Sequence, residues 1–195
     1  MKNFWDERFS DNEFIYGKEP NSFLEKKLPD FTPGKIIFPA EGEGRNAVFA
    51  AQLGWDVYAY DFSEKAKEKC LQLAKEKKVK INYIIASHEE VQYPENFFDA
   101  AGLFYAHTLN RELLHQNVLK WLKKDGVVLF EGFSKMQLNY SSGGPKDINM
   151  LFSIEELEND FSNASFNKIW MEEVVLNEGK YHQGKASVIR AIIKK

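Results

Sequence analysis

The stretch from Lys35 to Asp61 constrains the fold most, because it sets two short apolar runs on either side of a glycine turn and a helical segment. KIIFP (35–39) is brief and almost wholly apolar, as a strand covered on both faces should be. Glu41 to Gly44 reads as a turn, RNAVFAAQL as a helix ended by Gly54, and DVYAY as a second strand. A helix between two strands carries the chain back to the same end of the sheet, so the strands run parallel with a right-handed crossover.

The alternation continues downstream. Asp61-Phe62-Ser63 leads into a helix whose Ala66, Cys70, Leu73 and Ala74 recur at helical spacing. INYIIA is a third strand and FFDAAGLF carries a fourth. A helix from about Arg111 follows, with Leu114, Val118 and Leu122 on one face, and Asp125-Gly126 turns into VVLFEGF, the fifth strand. The pattern predicts an α/β fold built on a doubly wound, mostly parallel sheet. The last third changes character: Tyr140 to Lys146 is rich in turn residues, and SIEELENDF is a helix capped by Ser153. Two apolar strands, about Lys168 to Leu176 and Lys185 to Ile193, flank NEGKYHQG. A terminal antiparallel hairpin, completing seven strands, is the economical reading.

At 195 residues, with no repeat or linker, the chain is expected to be a single domain over 1–195. Residues 1–30, which include a short helix from Ser22 to Leu28, precede the first strand. Most of the sixteen Phe, eight Tyr and four Trp should pack a core, while those of the N-terminal segment are candidates for lining a pocket. A net charge of -3 argues against a nucleic-acid partner, whose phosphates call for a basic surface. The lone Cys70 precludes an internal disulfide and fits a reducing compartment, and no apolar run is long enough to span a membrane. The expectation is a cytoplasmic monomer. The four histidines, at 88, 107, 115 and 182, lack metal-ligand spacing, so no metal is expected, and His115 should lie on a helix surface.

The strongest local signal is FPAEGEGRNA, in which Gly42, Gly44 and Ala47 fit G-x-G-x-x-G/A between a strand and a helix. Glycines there let the backbone approach a ligand, and the helix N-terminus offers free N–H groups. Asp61, ending the second strand, can accept both hydroxyls of a ribose. The bland alternative is a tight turn beside a solvated aspartate. The turn alone does not separate a nicotinamide dinucleotide from S-adenosylmethionine. Glu41 and Glu43 within it would repel a pyrophosphate, whereas the amino group and sulfonium of S-adenosylmethionine are cationic. That tips the choice toward methyl transfer. Surface pairing of both glutamates with Arg45 or a lysine is the plain alternative.

Four stretches, WDERFSDNEFIYGKEPNSFL, EGEGRNAVFAAQLGWDVYAYDFS, SSGGPKD and EGKYHQGKASV, resemble small bacterial class I methyltransferases of the tellurite-resistance and thiopurine methyltransferase-like group. The resemblance covers nearly the whole chain and implies a seven-stranded class I fold, closed by an antiparallel hairpin, that uses S-adenosylmethionine. It implies that Ala40, Glu41, Gly42, Gly44, Arg45 and Asn46 surround the methionine end of that molecule. Asp61 and Phe62 would hold ribose and flank adenine, with Ser87, His88 and Glu89 at the adenine edge. Phe104 and Tyr105 would lie beneath the sulfonium, and Trp5 and Tyr16 would come from an N-terminal lid. The sequence departs from the group's pattern at Phe38, where an acidic residue is common, at Ala40, in place of the turn's first glycine, and at Ser87, in place of an aspartate.

The acceptor should meet the methyl group beyond the fourth and fifth strands, which makes His107, His182, Tyr105, Tyr140 and Tyr181 the candidate acceptor-side residues. A thiolate or a selenium or tellurium oxyanion needs little base assistance, whereas an oxygen or nitrogen acceptor would draw on His107 or His182. The relatives imply a small, soft acceptor. Two rival classes are a nicotinamide-dependent oxidoreductase, supported by the glycine turn and Asp61, and a non-catalytic module that binds S-adenosylmethionine, to which Phe38 and Ala40 point.

Overall fold

A computed structural model describes residues 2–195, with side chains from Phe4 onward. Seven strands form one sheet: β1 (Lys35–Pro39), β2 (Asp56–Asp61), β3 (Asn82–Ile85), β4 (Phe98–Phe104), β5 (Leu122–Phe133), β6 (Phe166–Glu178) and β7 (His182–Lys194). Their order is β3-β2-β1-β4-β5-β7-β6. The first five run parallel, and β7 pairs antiparallel with both β5 and β6. The helices are α1 (Lys2–Phe9), α2 (Ser22–Lys27), α3 (Arg45–Gln52), α4 (Glu64–Glu76), α5 (Arg111–Trp121) and α6 (Ile154–Asp160). The doubly wound sheet with its terminal hairpin is the architecture that the alternation predicts.

Central strands are buried on both faces, and their composition follows. Ile36, Ile37 and Phe38 of β1 are fully buried, with Phe38 packed on one side of the sheet and Ile37 on the other. Phe38 lies so close to Gly102 of β4 that a methyl group there would come within 2.3 Å of its ring. The large ring therefore needs the small neighbour, and together they make apolar packing at a position where the resemblance expects a charge.

Helix starts are set by side chains that satisfy the free N–H groups of the first turn. Asn21 accepts from Phe23 and Leu24 at α2, and Ser63 accepts from Ala66 at α4. Ser153 and Glu156 form a reciprocal capping box at α6.

Three features depart from the sequence reading. The hairpin strands are longer than expected, because pairing continues to Glu178 opposite His182 and leaves only Gly179, Lys180 and Tyr181 as the turn. The segment before Phe9 is a helix, and Trp5 of α1 stacks on Phe9 with ring centroids 5.4 Å apart. His115, expected at the surface, is buried: its Nδ1 lies 2.7 Å from Asp160 and its ring stacks on Phe161. Two turns of α5 covering the sheet place it beside α6, where the Asp160 carboxylate also pairs with Arg111.

Candidate cofactor and acceptor site

β1 lies between β2 and β4, so the helices after β1 and β4 leave in opposite directions and open a crevice at the carboxyl ends of these strands. The residues following β1 line that crevice. Ala40 takes φ +50°, a left-handed conformation that costs an L-residue about 1–2 kcal/mol. Gly44, at φ +87°, begins α3 and presses against α4, so closely that a methyl group on it would meet Cys70 Sγ. Only glycine satisfies both demands.

Asp61 ties the turn to β2. Gly42 N–H donates to its Oδ2 at 3.2 Å and Ser63 N–H to its Oδ1 at 3.0 Å. Burial nevertheless pushes its carboxyl up to about 6, against these two donors. It is a covered carboxylate held only by backbone N–H groups, and each oxygen keeps acceptor capacity that the two hydroxyls of a ribose could use.

The two turn glutamates part ways. Glu41 accepts from Ala47 N–H at 2.7 Å, and burial raises its carboxyl to about 8. Glu43, expected to face a cationic ligand, is instead fully engaged within the protein. It accepts the N–H groups of Ile15 and Tyr16 and pairs with Lys69 at 2.8 Å. It fastens the N-terminal segment to the turn. Phe9 lies over Gly42, where an added methyl would stand 3.3 Å from its ring, and Asp6 accepts from the Ser63 hydroxyl. Arg8 reaches from α1 to the Tyr16 hydroxyl and stacks on Tyr181 at the hairpin tip.

Around the adenine-side expectations, His88 Nδ1 meets the Tyr60 hydroxyl at 3.0 Å, and Glu89 accepts from Asn110. Ser87 N–H is held by Glu90, Phe62 is half-buried beside Asp61, and Phe104 is buried with Phe38.

A second cluster gathers where β4, β5 and the hairpin end. Glu131 of β5 is 1% exposed and accepts from Asn21 Nδ2 (2.6 Å), Tyr105 Oη (2.7 Å) and Arg190 Nε (2.6 Å). Glu178 of β6 accepts from Arg45 at 2.7 Å, from His182 Nδ1 at 3.3 Å and from Asn21 at 3.3 Å. Burial opposes ionisation of Glu178, but His182 and Arg45 pull its carboxyl down to about 2. Asn46 joins the cluster by accepting from Asn21 N–H. Arg45, expected at the methionine end, spends its guanidinium on Glu178 and on the Tyr16 and Glu19 carbonyls. Tyr105 takes φ +54°, held there by N–H donation to the Glu131 carbonyl as well as by its hydroxyl. Sequence reading missed Asn21, Glu131, Glu178 and Arg190. The signal for Glu131 was present: a charge inside VVLFEGF, a strand apolar enough to be covered on both faces, has to be paired.

The acceptor-side candidates separate. His182 is buried, with its ring centroid 4.6 Å from Tyr16 and 4.7 Å from Tyr105. His107 Nδ1 donates to the Met150 carbonyl at 2.6 Å and Nε2 accepts from Phe133 N–H at 3.2 Å. Burial lowers it to about 4, so it is neutral with both nitrogens committed to backbone. Tyr140 turns to Glu173 on the hairpin, among Met136 and Met171, and Tyr181 lies half-open near Tyr16.

Residues 39–130, which run from the last residue of β1 through most of β5, match the family model described as a methyltransferase domain. Just under half of the chain thus aligns with a methyltransferase domain. Enzymes built on this domain take their methyl group from S-adenosylmethionine, and the covered Asp61 and the glycine turn are chemically compatible with such a donor. Solved structures share the fold over nine-tenths or more of the chain. A protein that converts a disulfide bond into a thioacetal group in echinomycin biosynthesis aligns at TM-score 0.74 and 14% identity, over 100% of this chain and 93% of its own. TehB from Haemophilus influenzae aligns at 0.70 and 14%, over 100% and 66%. A SAM-dependent methyltransferase from Methanosarcina mazei aligns at 0.69 and 14%, over 91% and 98%. No curated protein matches the chain in sequence. Among the described residues, no helix is long and apolar enough to cross a membrane.

Proposed function

We infer that the protein transfers a methyl group from S-adenosylmethionine to a small-molecule acceptor. The observation that carries this reading is Asp61: a buried carboxylate at the end of β2, bonded to Gly42 of the turn and raised by burial to about 6, inside the matched segment. The ribose hydroxyls would bind Asp61. The turn from Ala40 to Gly44 and the N–H groups opening α3 would hold the methionine end, with Phe62, Ser87, His88 and Glu89 around the adenine. Bound there, S-adenosylmethionine supplies an electrophilic methyl and a thioether leaving group. The chain's own work is to orient, to exclude water and to manage a proton. Phe104 and Tyr105, following β4, would lie under the sulfonium, and Tyr105 and His182 would border the acceptor.

The tellurite-resistance and thiopurine methyltransferase-like resemblance supports a small, soft acceptor such as a thiol or a selenium or tellurium oxyanion. Titration calorimetry should give micromolar affinity for S-adenosylmethionine, about -8 kcal/mol at 1 μM. Labelled methyl transfer should then appear in a screen over thiols, selenite, tellurite and small aromatics. Absence of any binding would overturn the reading.

Residues 1–30 would act as the lid. Glu43 and Arg45 anchor the segment behind Tyr16, while α1 meets the turn through Phe9 on Gly42 and the start of α4 through Asp6 on Ser63. Backbone amides of α1 should therefore gain protection from hydrogen exchange when S-adenosylmethionine is added, by more than those of the anchored Ile15 and Tyr16. Equal exchange in α1 with and without ligand would remove it as a lid.

A further inference from the structure

His182 and His107 have opposite surroundings, and the contrast says what the acceptor must bring. Both nitrogens of His107 are engaged by backbone. His182 is held on one side only. Its Nδ1 faces Glu178, whose carboxylate accepts a hydrogen and has none to give, so Nδ1 carries the proton and Nε2 carries the lone pair. Nε2 makes no hydrogen bond among the described residues, yet no buried side-chain nitrogen there is left without a partner. Although His182 is only 6% exposed, Nε2 is therefore not wholly enclosed. It points to the Gly143 turn, where an added methyl would stand 3.5 Å away, and the ring is wedged among Tyr16, Tyr105 and Phe133. Glu178 is itself fixed by Arg45 and Asn21, so the pair is rigid.

We propose that His182 Nε2 is the general base for methylation of a protic acceptor (a thiol, amine or hydroxyl) and that Glu178 positions it by holding Nδ1–H. The proposal rests on the methyl-transfer reading. In the step, Nε2 takes the proton from the acceptor X–H, and the X lone pair forms the bond to the methyl carbon. The electron pair of the broken sulfur–methyl bond stays on the sulfur of the departing thioether, and the imidazolium returns its proton to water. A base is of little use to an oxyanion that attacks through the lone pair on its selenium or tellurium, which is free without loss of a proton. The site therefore favours X–H acceptors over selenite or tellurite.

The charged and titratable groups around the ring are Glu178 on β6, Glu131 on β5, Arg45 on α3, Tyr16, Tyr105 and His107. Burial lowers the His182 pKa and Glu178 opposes that fall. Removing the Glu178 charge should thus lower it further.

Nitrogen-15 NMR of the wild-type protein, needing neither donor nor acceptor, should show His182 in the Nδ1–H tautomer. In Glu178→Gln that tautomer preference should weaken. The acid limb of kcat with an X–H acceptor should move to lower pH, in step with the His182 pKa read by NMR. His182→Asn should cost roughly 100-fold in kcat while calorimetric affinity for S-adenosylmethionine stays within about twofold. An Nε2–H tautomer in the wild type would overturn the proposal. So would an acid limb unmoved by Glu178→Gln, or methylation of selenite or tellurite with no turnover of thiols, amines or hydroxyls. Failure to bind S-adenosylmethionine would instead overturn the methyl-transfer reading, and the NMR result would distinguish the two.

Discussion

Glu131→Ala is expected to destabilise the fold by about 3–5 kcal/mol, the cost of removing one partner from a buried ion pair, and to lower Tm by roughly 10 °C. The carboxylate sits on a central strand at 1% exposure and serves three elements at once: Asn21 before α2, Tyr105 after β4 and Arg190 on β7. Without it the Arg190 guanidinium keeps only Glu172, itself partly in solvent, and the Tyr105 hydroxyl and Asn21 amide lose their acceptor. The Tyr105 backbone keeps its N–H bond to the carbonyl of residue 131, so the loss at Tyr105 is confined to its hydroxyl. Glu131→Gln keeps one acceptor oxygen and should cost less than half as much. Thermal denaturation of both variants checks the claim, and an alanine variant melting within about 2 °C of wild type would mean that water or Glu172 takes over the pairing.

That cluster also marks the limit of what the sequence made legible. Strand and helix periodicity depends on neighbours within a few residues, so β1 to β5, α3, α4 and the capped α6 could all be read directly. The glycine turn and Asp61 were legible for the same reason: one strand and one helix bring them together. Asn21, Glu131 and Glu178 are separated by 110 and 157 residues along their hydrogen bonds to Asn21, and no local pattern encodes such a meeting. His115 was misread because one polar residue on an amphipathic helix looks solvent-facing until the partner Asp160, on another helix, is known. Glu43 takes its plain alternative, a lysine pair, but buried rather than at the surface. Its charge in the turn is evident, but its partners Ile15, Tyr16 and Lys69 arrive from either side of the first crossover. The helical form of α1 went unread because its apolar residues follow no clean period, and its order comes from packing on the turn.

Asp61→Ala is expected to weaken S-adenosylmethionine binding by about 1–3 kcal/mol at pH 7.5, or roughly 5- to 150-fold, since two ribose hydroxyls would lose a charged acceptor. The pH dependence is the sharper expectation. Burial holds the free carboxyl near 6, above the ordinary aspartate value of 3.8. Ribose hydroxyls donate to the ionised form, so binding must lower that pKa and expel a proton from the fraction of molecules that carry one. The Asp61 contribution should therefore be constant above about pH 7, begin to fall near pH 6 and drop about tenfold per unit below it. Asp61→Asn cannot ionise and should show weak binding with no break near 6. The measurement is calorimetry from pH 5 to 8 in buffers of different ionisation enthalpy, which counts the protons released. Glu41 titrates higher, near 8, so a second break there would report the methionine end of the site rather than the ribose. A wild-type profile without a break near 6, or an unchanged affinity in the alanine variant, would take Asp61 out of the site and leave it a structural tie between Gly42 and Ser63.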